Sequence, residues 1–410
     1  MPDSALKRRN ALFVLFLLPG LGMSSWVTRT PDVRDLVGAN TAQMGLILFG
    51  LSVGSMTGIL SSGPLVYRFG TRPIIVAGML STAVGVGVVG LGAMAGNGAL
   101  VAFGLALFGL GMGSGEVALN VEGAEVERLL VRSVMPAMHG FFSLGTAVGA
   151  CFGLLATALR FPVVAHMLLM SVVILAGLAL SIGRIPVGFG RREIVDHTVS
   201  EPAPKAAPWR DTRLVLLGGV ILALAMAEGT ANDWLPLVMV DGHGFDAVWG
   251  SAIFAVFATA MTLGRFVGGS FVNRFGRAPV LAASAVIGAF GMAGVIFIDH
   301  QPLVVASVVL WGLGASLGFP VALSAAGDTG RETNGSETAA RVSFAATIGY
   351  IAFLVGPPAL GILGEQFGLR PAMIVVLVLV IVAALLTPAA RTPRPTNELK
   401  TEPAGDRGHV

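Results

Sequence analysis

Twelve apolar runs, each close to the length that crosses a bilayer, dominate this sequence and leave little room for anything else. They fall at roughly 10–29, 41–66, 73–95, 99–125, 134–159, 162–183, 213–238, 248–272, 279–298, 303–326, 341–364 and 370–389. A spanning helix takes about 20 apolar residues, so twelve of them with short loops fill most of the 410-residue chain. The expected fold is an all-α membrane protein with twelve transmembrane helices and no large extramembrane domain. Charged residues make up 12% and glycine 56 positions, against about 25% charge in soluble domains. That balance excludes a water-soluble multidomain enzyme and fits helices in close contact within lipid. The one cysteine, Cys151, excludes internal disulfides and cysteine-based metal centres.

Lys7, Arg8 and Arg9 precede the first run, but no small-residue cleavage site follows it, so it reads as a retained helix rather than a secretory signal. With a cytoplasmic N-terminus, the 26 Lys and Arg concentrate in the N-terminal arm, the alternate loops and the tail. Only Arg29, Arg34, Arg160 and Arg370 fall on the opposite side, and Arg265 lies inside a span. This asymmetry predicts both termini in the cytoplasm. It also explains a net charge of +3 without a nucleic-acid partner.

Two halves are marked by a repeat. Arg68-Phe69-Gly70 with Pro73 recurs as Arg274-Phe275-Gly276 with Pro279, 206 residues on. Gly109-Leu110-Gly111 with Gly115 recurs as Gly312-Leu313-Gly314 with Gly318 at an offset of 203, and Trp26 is echoed by Trp234 at 208. The division is therefore an N-terminal six-helix bundle (1–183), a solvated cytoplasmic linker (184–212) with four prolines, a C-terminal six-helix bundle (213–390) and a disordered tail (391–410). Parallel repeats of six helices are a transporter plan in which the site lies between two rocking halves.

The turn Gly63-Pro64-Leu65-Val66-Tyr67-Arg68-Phe69-Gly70-Thr71-Arg72 resembles the loop signature of the major facilitator superfamily, and Gly269 to Arg277 resembles its second copy. Tyr67 and Asn273 stand where the signature carries aspartate. A narrower resemblance, to the bacterial YbjJ-like and MosC-like branch, rests on four islands. These are Trp26 to Pro31, Glu116 to Asn120 with Val126-Glu127, His139-Gly140 with Ser143 to Gly145, and Glu228-Gly229 with Asp233-Trp234. The resemblance implies the superfamily fold of two pseudo-symmetric bundles, alternating access, and a cytoplasmic gate at Gly63, Arg68, Gly70, Arg72, Gly269, Arg274, Gly276 and Arg277. The motifs of drug–proton antiporters are missing: Gly109 to Gly115 lacks Arg and Gly145 to Gly153 lacks Pro.

Charges inside hydrocarbon cost several kcal/mol, so each needs a partner, a wet cavity or a role. Glu228 lies mid-way along the seventh span, with Asn232 one turn further on the same face and Asp233 and Trp234 beside it. If the hairpin turns near residue 244, Arg265 sits five residues deeper than Glu228, about 7.5 Å, within reach of a guanidinium. Glu228 is thus either a proton carrier or half of a buried ion pair with Arg265. A second constellation joins spans four and five: a turn near residues 129 and 130 sets Asn120 level with His139 and Glu116 level with Ser143. These could form one polar clamp, with Glu116 and His139 also able to carry a proton. Glu122, Glu125 and Glu127, beside Arg128 and Arg132, read as surface or gate charges. Arg29 could meet an anionic substrate, but reads first as an interfacial anchor with Trp26. Gly318-Phe319-Pro320 and Gly356-Pro357-Pro358 break their helix ladders and free carbonyls.

There is no Walker sequence, the six histidines lack metal-ligand spacing, and no cofactor or metal is expected. The reading is a monomeric, proton-coupled secondary transporter of a small polar, sugar-like solute. Proton-coupling candidates are Glu228, Glu116, Asp233 and His139; substrate contacts are Trp26, Asn120, Asn232, Trp234 and Tyr350. Two alternatives are a proton-driven exporter of amphipathic compounds, separated by direction of flux, and a non-transporting receptor or scaffold, separated by absence of flux.

Overall fold

The apolar runs can satisfy their backbone groups within lipid only as helices, and helices are what form. The computed structural model describes residues 2–131, 134–191, 208–328 and 335–390. Its α-helices are α1 (Pro2–Thr28), α2 (Thr30–Val37), α3 (Thr41–Phe69), α4 (Thr71–Met94), α5 (Gly98–Leu130), α6 (Met135–Ala158) and α7 (Val163–Ile182) in the first half. The second half has α8 (Thr212–Leu237), α9 (Ala247–Phe275), α10 (Arg277–Phe297), α11 (Gln301–Asp328), α12 (Gly335–Phe367), α13 (Leu369–Ala372) and α14 (Ile374–Leu386). Among the described residues twelve helical stretches are long and apolar enough to cross a membrane, the twelfth running through α13 and α14 together, which leaves α2 as a short far-side element. The predicted tail, 391–410, and linker residues 192–207 lie outside the described residues.

The two halves pack alike. In the first, α5 lies against α3 and α4, α1 against α6 and α7, and α4 against α7; in the second, α11 lies against α9 and α10, α8 against α12 and α14, and α10 against α14. The bundles then meet through α3 on α12 and α6 on α9, pairs that the pseudo-symmetry exchanges. Helix ends are fixed by short polar side chains, as expected for caps. Asp246 accepts from the Trp249 amide at 2.8 Å, and Asn97 accepts from that of Leu100 at 3.0 Å. Asp211 caps α8 through the Arg213 and Leu214 amides and also meets Arg341 at 2.5 Å. Burial works against ionisation of Asp211, but Arg341 and the two amides outweigh it and hold the carboxyl below its ordinary range.

The repeated turns fold alike too. Gly70 and Gly276 have φ of +87° and +82°, which only glycine adopts cheaply, and their amides close on Val66 and Val272 at 2.7 and 2.9 Å. Arg68 and Arg274 each lie over the following phenylalanine, 5.2 and 5.3 Å from the ring centroid. Not every signature glycine serves close packing, however: Gly63 and Gly269 have nothing within 4 Å of an added Cβ. The tight seams lie inside the bundles. A Cβ on Gly54 would stand 2.0 Å from the Ala106 carbonyl, and one on Gly314 2.3 Å from the Gly288 amide nitrogen.

Two expectations change on the side that carries both ends of the described chain, here the terminal side. Glu122, read as a surface or gate charge, is fully buried. It accepts from Arg8 Nε at 2.6 Å and from the Thr71 hydroxyl, because α1 and the start of the linker fold over it. That linker start is docked rather than solvated. Ile185 is buried, Phe189 accepts from the Thr71 amide at 2.8 Å, and its ring lies 4.8 Å beneath Arg8.

Candidate transport site

The crossing of α6 and α9 brings the mid-membrane polar residues together. Arg265 of α9 donates to Glu228 of α8 at 2.7 Å and to Ser143 of α6 at 3.1 Å. The hairpin spacing of α8 and α9 gives the first contact, as the sequence predicts; the second crosses between bundles. Thr262, one turn earlier on α9, donates to the Ser143 carbonyl at 3.0 Å. Arg265 and Glu228 are largely buried, with side-chain exposures of 22% and 13%.

Glu116 of α5 lies within the electrostatic reach of Arg265 and of Tyr350 of α12. Its side chain is exposed to solvent. His139 of α6 is also exposed, near Arg265 and edge-on to Phe16 at 5.3 Å. The predicted clamp of Asn120 with His139 and Glu116 with Ser143 does not form. After its turn α6 leans on α1 and α9 rather than on α5, so Ser143 bonds Arg265, and Asn120 Oδ1 is buried without a hydrogen-bond partner among the described residues.

Of the other predicted contacts, Asn232 and Tyr350 are half-buried, while Trp26 and Trp234 are each 1% exposed and packed in the core. Neither tryptophan is open to solvent. Asp233 is turned to a different face of α8, toward α12. Arg29 is no interfacial anchor: it is buried, pairs with Asp32 at 2.9 Å, and donates to the Phe161 carbonyl at 2.7 Å. Burial pushes its guanidinium down from the ordinary value against the pull of Asp32, and pushes the Asp32 carboxyl up.

Residues that sequence reasoning missed close the far side. Arg34 of α2 pairs with Asp241 beyond α8. Glu365 of α12 accepts from the Thr41 and Ala42 amides at 2.9 and 3.3 Å, capping α3 from the opposite bundle. Ser52 donates to the Phe353 carbonyl at 2.7 Å, and Ser251 to the Thr28 carbonyl at 2.8 Å. Arg34 and Asp241 are 207 residues apart, nearly the repeat offset, and that spacing of opposite charges was the one available signal. These contacts between the bundles, with those of Thr262 and Arg265 to Ser143, lie at mid-depth or on the far side. They hold the two bundles together on the far side, away from Glu116 and His139. The signature turns with Arg68, Arg72, Arg274 and Arg277 lie at the other end.

A sequence model of the Major Facilitator Superfamily matches residues 11–336 and 250–409. The chain is 31% identical to an uncharacterized MFS-type transporter of Yersinia pestis, over 90% of this chain and 92% of that one. It is 23% identical to the membrane protein MosC of Rhizobium meliloti, over 92% and 88%. In fold it resembles the nucleoside transporter NupG, with a TM-score of 0.73 and 12% identity over 93% of this chain and 99% of that one. It also resembles the fucose:proton symporter FucP of E. coli, with a TM-score of 0.63 and 18% identity over 94% and 98%. Twelve membrane-length helices in two like bundles, a closed far side and these matches agree: this multi-pass membrane protein is a transporter of the Major Facilitator Superfamily.

Proposed function

We propose that this transporter moves a small polar organic solute by proton-coupled alternating access, with Glu116 and Glu228 as proton carriers and both termini in the cytoplasm. One observation carries the reading: Arg265 is shared between Glu228 of its own bundle and Ser143 of the other, beside a solvent-reachable Glu116. A proton on Glu228 removes the counter-charge that holds Arg265, which frees the guanidinium for the solute and loosens the tie between bundles. Coupling then follows because protonation and occupancy favour different conformers. Asn120, Asn232, His139 and Tyr350 supply hydrogen-bonding groups suited to a hydroxyl-rich solute. The fold-likeness to a nucleoside transporter and to a fucose:proton symporter supports a solute of this kind, and the excess of basic residues on the terminal side supports the orientation.

The test is uptake into proteoliposomes, with an imposed pH gradient, of a panel of sugars, polyols and nucleosides. The expected result is accumulation of at least one compound above its external concentration, collapsing with the gradient. Glu116→Gln should lose that accumulation while still exchanging labelled for unlabelled solute. Accumulation by Glu116→Gln equal to that of the parent protein would remove Glu116 from the coupling path. Resistance to amphipathic drugs without uptake of any polar solute would instead favour an exporter.

A further inference from the structure

Alternating access requires two bundles to part on one side at a time, but it does not say which edge parts. The two seams between these bundles are unlike. Along α6 and α9 the contacts run through the depth of the membrane. Near the far end the Ser251 hydroxyl of α9 donates to the Thr28 carbonyl at 2.8 Å and lies 3.4 Å from the Thr157 hydroxyl of α6. At mid-depth Thr262 and Arg265 hold Ser143. Toward the terminal end a Cβ on Gly140 of α6 would stand 2.7 Å from the Phe266 ring of α9.

Helices α3 and α12 touch in the far half. Glu365 caps α3, a Cβ on Gly45 would stand 2.9 Å from Gly361 Cα, and Ser52 donates to the Phe353 carbonyl at 2.7 Å. Gly63 and Ser343 continue the same two faces, each 18 residues, about five turns, to the terminal side of Gly45 and Gly361. Both are exposed there, and a Cβ on Gly63 meets nothing within 4 Å. Depth does not explain the contrast, since Gly63 stands six residues from the end of α3 and Gly140 five from the start of α6. The open stretch leads to the central cluster: Tyr350, about two turns from Ser343 on α12, is within the electrostatic reach of Glu116.

We propose that the bundles are hinged along α6 and α9, and that the solute passes on the terminal side through a slot between α3 and α12. Met56, Ile59 and Gly63 form one wall, Ser343 and Tyr350 the other. One wall is apolar and the other carries hydroxyls, which favours a solute with an apolar face and a polar edge. Thr262 holds the Ser143 carbonyl, not its hydroxyl, so the hinge survives when Arg265 lets the hydroxyl go.

The slot rests on alternating access but on neither proton carrier, so the outcome for Glu116→Gln leaves it untouched. The test is electron–electron distance measurement on the full-length Cys151→Ser protein in lipid nanodiscs. Spin labels go at Gly63→Cys/Ser343→Cys across α3 and α12, or at Ala137→Cys/Gly269→Cys across α6 and α9, four exposed positions. Adding Arg34→Ala/Glu365→Gln removes far-side contacts and so shifts the population toward the form closed on the terminal side. The first distance should then shorten by more than about 5 Å, the rise of one helical turn, while the second holds within the width of its distribution. Equal shortening of both, movement of the second alone, or no change in the first overturns the proposal. Should the doubly substituted protein not fold, Arg34→Ala alone gives the same comparison.

Discussion

Arg265→Ala should abolish gradient-driven transport and lower the stability of the folded protein by about 2 kcal/mol, the scale of a hydrogen bond to a charged group. The change deletes a 2.7 Å contact to Glu228 and a 3.1 Å contact to Ser143 at once. It leaves the Glu228 carboxylate within the bilayer without its counter-charge, and removing one partner of a buried pair costs more than removing both. Arg265→Ala/Glu228→Gln should therefore recover much of the lost stability but none of the coupling. Arg265→Lys keeps the charge without the planar fork that reaches two acceptors, and should transport weakly. Thermal unfolding with proteoliposome uptake checks all three. Full accumulation by Arg265→Ala would show that the link between bundles carries no coupling.

The largest structural effect is expected at Gly54. Its Cβ position lies 2.0 Å from the Ala106 carbonyl oxygen, and those of Gly50 and Gly58 on the same face of α3 lie 2.3 and 2.4 Å from carbonyl oxygens of α5. Membrane helices gain little from hydrophobic burial against one another, so backbone approach of this kind supplies much of their packing. Overpacking costs typically 1–3 kcal/mol. Because the obstacle here is backbone, no rotamer change relieves it, and Gly54→Val should fall at the upper end, about 3 kcal/mol, with a sharp drop in monodisperse protein on extraction. Gly63→Ala and Gly269→Ala, which have open space around them, should be neutral. Size-exclusion profiles and unfolding midpoints read the contrast, and equal losses at Gly54 and Gly63 would show that close packing is not what the α3–α5 glycines provide.

What the sequence makes legible is what local periodicity and short-range counting control. The spans follow from hydropathy, the turns at Gly70 and Gly276 from a repeated triplet, and the Glu228–Arg265 pair from residue counts around one hairpin. Contacts between bundles are different. Nothing near Ser143 in the chain announces Arg265, 122 residues away, and nothing near Thr41 announces Glu365, 324 residues away. The clamp expected around Asn120 and His139 assumed that consecutive helices stay together, whereas α6 leaves α5 to seal against α9. Glu122 was misread for a related reason. A run of acids and bases at a helix end has the pattern of a solvated face, and only the return of α1 and of residues 185–190 over that end buries it.

The central claim is that the polar cluster lines one water-filled vestibule, open on one side at a time. In a Cys151→Ser background, His139→Cys can be exposed to a membrane-impermeant thiol reagent from each side of sealed vesicles. The structure leads us to expect labelling from the terminal side alone. Far-side labelling should emerge once Arg34→Ala and Glu365→Gln remove the two contacts that close that side. A cysteine at this position that stays unreactive from both sides, with the far-side contacts intact or removed, would contradict the account.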